Sequence, residues 1–110
     1  MIRASLRIVA PEKKRAEILG ILSRLKGPAE VTSGCRSCQI LQDASDKNAL
    51  TYIVTWEAQA DLEEHLRSEA FRRLLPYIEM SREPPEVEFS TIDQVRGIEF
   101  MVEVLSAATH

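Results

Sequence analysis

Residues that carry metal or redox chemistry are scarce in this chain, with two cysteines and two histidines among 110 residues. One of the histidines, His110, is the last residue. The cysteines form a lone Cys35-Arg-Ser-Cys38 pair, without the second pair that a zinc site built on this spacing requires. On a regular strand, residues three apart point to opposite faces, so the two sulfurs are expected to share neither a metal nor a bond. Both read as ordinary thiols. There is no block of lysine or arginine, and the net charge is −3. A chain that neutralises many phosphates needs the opposite balance, so no nucleic-acid partner is expected. No apolar run approaches the roughly 18 residues of a membrane span. The N-terminal stretch is broken by Arg3 and Arg7 and lacks the apolar core of a signal peptide. A reducing cytoplasmic setting is therefore the expectation.

What the chain does have is an ordinary globular balance, 45% hydrophobic and 28% charged, which suits one domain over residues 1–110. Residues 2–9 alternate, with Ile2, Ala4, Leu6 and Ile8 on one face and Arg3, Ser5 and Arg7 on the other, as in a half-buried strand. Pro11 suits the start of a helix, and Ile18, Ile21, Leu22 and Leu25 continue it at helical spacing. Gly27-Pro28 is expected to end it near residue 26. A second strand follows at about 35–43, then a turn at 43–48 rich in Asp, Ser and Asn. The third strand, 49–57, is the most apolar, with Leu50, Tyr52, Val54 and Trp56 on one side and Ile53 between Thr51 and Thr55 on the other. Leu62, Leu66, Phe71, Leu74 and Ile78 mark a helical region broken near Ser68, a suitable N-cap for its second piece. Pro76 is expected to bend that piece. Val87, Phe89 and Thr91 begin a fourth strand. The extension 97–110 fits either helix or strand, with helix preferred.

The order β-α-β-β-α-β is the ferredoxin-like pattern, an α+β fold with an antiparallel sheet covered by helices on one face. A third strand apolar on both sides is normally covered twice. Its free face therefore predicts a second copy of the chain, packed face to face as a dimeric α+β barrel.

The run Trp56-(eight residues)-His65-Leu66-Arg67-Ser68-(two residues)-Phe71 resembles the antibiotic-biosynthesis-monooxygenase (ABM) superfamily. Gly34-Cys35 at the start of the second strand and Asp46 and Asn48 in the turn before the third agree with it, and the likeness spans roughly residues 2–92. The resemblance implies a homodimer with a ligand cavity between sheet and helices. It also implies, for some members, monooxygenation of quinols or polyphenolic aromatics without any cofactor. Haem-degrading members share an asparagine on the first strand, which residues 2–9 lack.

Cofactor-free oxygenation asks the protein to remove a substrate proton, stabilise the resulting charge and exclude water. His65 is the candidate base. Tyr52 and Trp56 are candidates to line the cavity and stack on an aromatic ring, and Arg7 to stabilise an anion. Each has a structural alternative. His65 fits a helix margin, Trp56 fits the core, and Arg3 or Arg7 fits a cross-strand ion pair with Glu86 or Glu88, a reading favoured for Arg3.

Overall fold

The computed structural model describes residues 1–107, so His110 lies outside the described residues. Four strands, β1 (Ile2–Val9), β2 (Cys35–Gln42), β3 (Ala49–Trp56) and β4 (Glu86–Thr91), form an antiparallel sheet in the order β2-β3-β1-β4. The first and third strands are central and the fourth lies beside the first, the strand order of the ferredoxin-like pattern. A 3₁₀ turn at Glu12–Lys14 leads into α1 (Arg15–Glu30), and α2 (Gln59–Arg67), α3 (Glu69–Arg72) and α4 (Leu75–Glu79) follow β3. A last helix, α5 (Ile98–Ala107), follows β4. This is the ferredoxin-like α+β arrangement. The sheet of one chain is open rather than closed into a barrel.

The core lies between the sheet and α1–α4. Leu6 and Ile8 of β1 face Tyr52 and Leu50 of β3 across the ladder, and Ile18, Leu22, Leu25, Leu62 and Leu74 bury against them. Cross-strand partners share a face, so Thr51, Ile53 and Thr55 lie on the other side of the sheet beside Arg3, Ser5 and Arg7. That free face carries Ile53 and Leu41 among mostly polar side chains, and β3 is apolar on its second side at Ala49 and Ile53.

Local departures from the sequence-based expectation have identifiable causes. Helix α1 does not end at Gly27-Pro28 but runs on to Glu30. Pro28 forfeits one helical hydrogen bond, while Ala29 is buried in the core and the Thr32 hydroxyl donates to the Pro28 carbonyl at 2.8 Å. Pro76 does not bend a helix either. It sits in the first turn of the separate helix α4, where its missing N–H costs nothing. The cysteines also differ from expectation. A β-bulge at Arg36 pairs Cys35 with Trp56 and Cys38 with Val54. The extra residue returns both thiols to the helix-covered face, where Cys38 is buried and Cys35 packs against the core. Both are free. Finally, the cross-strand ion pair belongs to Arg7, which sits 3.5 Å from Glu86 and 3.0 Å from Asp43. Arg3 instead donates to the Thr55 hydroxyl at 3.2 Å.

Candidate active site

The site is built at the break between α2 and α3. Ser68 accepts a hydrogen bond from the Phe71 amide at 3.2 Å and donates to the His65 carbonyl at 2.7 Å. One hydroxyl thus closes α2 and opens α3, the satisfaction of orphan backbone groups that favours serine at such positions. The sharp turn it fixes brings His65 and Phe71 together, with ring centroids 5.7 Å apart in an edge-on arrangement. From below, β3 presents Tyr52 and Trp56, four residues apart and so on one face. The indole centroid lies 5.1 Å from the imidazole, and the Tyr52 ring stacks on it at 6.2 Å.

His65 is only 9% exposed. Its Nε2 and the Tyr52 hydroxyl are 3.1 Å apart. Burial lowers the His65 pKa below its ordinary value, so the neutral imidazole is favoured despite its place near the C-terminal end of α2. Burial above all, reinforced by the Cys38 thiol, raises the Tyr52 pKa far beyond the usual phenol range. The phenol therefore stays protonated. With Tyr52 donating, Nε2 is the acceptor and the remaining imidazole proton sits on Nδ1. Burial likewise pushes the Cys38 thiol up, which keeps it from acting as a thiolate.

Two cavities meet at His65. One, of about 190 Å³, is almost wholly apolar and runs from Tyr52 and Val54 past Leu66 and Phe71 to Val87 and Phe89 on β4. The other, of about 200 Å³, lies on the Trp56 side and is bordered by Asp61, Glu64 and Ser68. The Trp56 indole N–H is buried and has no partner among the described residues. A buried donor left unsatisfied is costly, and Trp56 is among the residues that line this second cavity.

Three of the four sequence-derived site residues, Tyr52, Trp56 and His65, come together. Arg7 stands on the opposite sheet face, held by Asp43 and Glu86. Sequence reasoning missed Cys38 as a neighbour of Tyr52, because the bulge has no signature in Cys-Arg-Ser-Cys. It also missed Val87 and Phe89 as part of the groove wall, although their alternation on β4 marks them as facing the helix side. Among the described residues, no three His, Cys, Asp or Glu side chains converge as metal ligands, and no helix is long and apolar enough to cross a membrane.

No curated protein matches the chain. Among solved structures, one named antibiotic biosynthesis monooxygenase superposes with a TM-score of 0.75 at 21% identity, covering 87% of this chain and 100% of the other. Rv0793 from Mycobacterium tuberculosis gives 0.75 at 18% identity, covering 86% and 98%. PA3566 from Pseudomonas aeruginosa gives 0.73 at 22% identity, covering 84% and 94%. These likenesses establish the fold. The sequence profile described as antibiotic biosynthesis monooxygenase matches residues 1–76, a stretch that holds β1 to β3, the Ser68 turn and all four candidate residues, and by that match the chain belongs to the antibiotic biosynthesis monooxygenase family.

Proposed function

We propose that this protein is a cofactor-independent monooxygenase of a small aromatic, quinol-like substrate, acting as a homodimer in the cytoplasm. The observation that carries this reading is the His65–Tyr52 pair, a hydrogen-bonded polar dyad at the wall of a groove whose other lining residues, Ser5 apart, are apolar. A dry cavity of roughly 150 Å³ accommodates benzene, so the observed groove suits a single substituted ring. Tyr52, Phe71 and His65 supply faces and edges for such a ring to pack on.

Tyr52 and His65 act as a relay. The substrate hydroxyl passes its proton to the Tyr52 oxygen while Tyr52 passes its own to Nε2. This leaves a substrate anion and an imidazolium, with the phenol restored. The anion is the reductant. Its electrons reduce dioxygen: the O–O bond breaks, one oxygen atom takes the place of a ring hydrogen, and the other leaves as water with two protons, the one held by His65 and one more released by the substrate as the quinol becomes a quinone. Positioned proton transfer of this kind contributes roughly 10²- to 10⁴-fold in rate. The Trp56 N–H supplies a donor for an oxygen atom on the far side of His65. Arg7 takes no part in this arrangement.

The test is oxygen uptake with a panel of substituted hydroquinones. Wild-type protein is expected to consume oxygen and form an oxygenated product, and His65→Ala to lose that activity. Turnover unchanged in His65→Ala removes His65 as the base. A second reading, a binding protein without chemistry, draws on the fact that Tyr52 already satisfies His65. It predicts stabilisation by ligand with no oxygen consumed.

A further inference from the structure

Helix α5 is the least satisfied element of the molecule. Ile98, Phe100, Met101, Val102, Val104 and Leu105 are between 43% and 73% exposed, and no residue of the helix is buried. Its apolar side chains cover all of the helix but the stripe of Glu99, Glu103 and Ser106, which in water is a pattern for burial of the wider face. Isolated helices shorter than about 12–15 residues are marginal in water, so packing is what stabilises it. Its start is already fixed. The Gly97 amide donates to the Glu99 carboxylate at 2.9 Å, and the Arg96 guanidinium lies 4.5 Å over the Phe100 ring. Arm and body together give an elongated molecule of 55 × 34 × 21 Å.

A second apolar surface is equally unpartnered. The helices cover β1 to β3 but stop short of β4, leaving Val87 and Phe89 55% and 52% exposed. With Leu75 and Ile78 they form the open side of the groove that ends at Tyr52 and His65.

We infer that α5 of a second copy of this chain docks in the groove beside β4 and closes the cavity holding Tyr52 and His65. The exchange is reciprocal, each arm seated on the other copy, as a two-fold dimer requires. A specific interface buries at least about 1,000 Å² in total, and a reciprocal exchange brings two apolar contacts toward that area. Charge favours this occupant over a lipid surface. Glu99 and Glu103 sit one turn apart on the arm, while Arg67 and Arg72 adjoin the groove residues Leu66 and Phe71 and make no ion pair among the described residues. A docked arm replaces the open mouth of the groove with Phe100, Met101 and Leu105, excluding the water that would protonate a substrate anion. The site as proposed is thus incomplete in one chain. This inference rests on the proposed homodimer and adds the surface that forms it.

The test uses full-length protein at micromolar concentration. Light scattering is expected to show a dimer, with association weakened at least 100-fold by Phe100→Glu with Leu105→Glu on the arm, and likewise by Phe89→Glu in the groove. Far-ultraviolet circular dichroism confirms that the variants remain folded. A dimer that survives both sets of changes overturns the arm exchange and leaves the homodimer standing on another surface. A monomeric wild type overturns both, and if that monomer binds phosphatidylcholine vesicles the arm belongs to a membrane. In Met101→Cys with Phe89→Cys, oxidation by a low-molecular-weight disulfide is expected to give a covalent dimer by mass. A covalent monomer with two thiols lost means that the arm folds back on its own groove and overturns the inference.

Discussion

Replacing Tyr52 by phenylalanine removes one oxygen atom from the centre of the site and keeps the ring. The hydroxyl is the partner of His65 Nε2 at 3.1 Å, and both side chains are buried. An imidazole nitrogen left without a partner there costs about 1–3 kcal/mol. The urea dependence of a small domain is about 1–3 kcal/mol per molar, so the unfolding midpoint is expected to fall by roughly 1 M. The pair can be isolated with a double-mutant cycle adding His65→Gln, in which directly coupled residues interact by about 0.5–3 kcal/mol. The same substitution has a separate chemical signature. In oxygen uptake the relay loses its middle member, and turnover should drop by roughly 10²- to 10⁴-fold. A midpoint within experimental error of wild type, with no coupling in the cycle, would refute the hydrogen bond as a structural element. Full turnover in Tyr52→Phe would refute the relay even if the stability change were as expected.

Stability should also depend on pH through His65. Its native pKa lies below the ordinary 6.5, so as pH falls through 6.5 the unfolded chain takes up a proton that the native state does not, and stability declines. Urea midpoints at pH 7.5 and 5.5 should show this decline, reduced in His65→Gln. The Glu17 carboxylate, held low by Tyr77 and Lys14, acts only in the more acid range below 4.5. Gly34 has φ of 91°, and a Cβ there would come within 2.5 Å of the Asp61 carboxylate. Gly34→Ala is expected to cost about 1–3 kcal/mol in chemical denaturation, and no loss would mean that the β2 entry relaxes freely. Ser68→Ala removes the shared cap of α2 and α3 and should cost about 0.5–2 kcal/mol. It should also lower turnover, because the turn that aims His65 loosens.

Much of the fold was legible because hydrophobic period and strand order are local signals. The alternation of Ile2 to Ile8 and the apolar run at 49–57 identify the two central strands before any contact is known. Ser68 was legible as a cap because its role depends on neighbours three residues away. What was hidden depends on the third dimension. The bulge at Arg36 reverses the facing of Cys35, and nothing in the local composition announces it. Arg7 and Arg3 look equivalent on an alternating strand, and the register alone decides that Arg7 meets Glu86 while Arg3 meets Ser90. Pro28 looked like a terminator because its cost is local, whereas the burial of Ala29 that offsets it is tertiary. The cavity half of the site was foreseen through Tyr52, Trp56 and His65, while its mouth at Val87 and Phe89 was not.

Trp56 is the single tryptophan of the chain, and it is 1% exposed with its ring 5.1 Å from His65. All indole emission from this protein therefore originates inside the site. A proton arriving on the imidazole quenches it, a ring seated in the groove alters its surroundings, and an oxygen accepting from its N–H shifts its colour. The molecule thus contains its own optical gauge of protonation and occupancy, readable without a label and in every variant that keeps the indole.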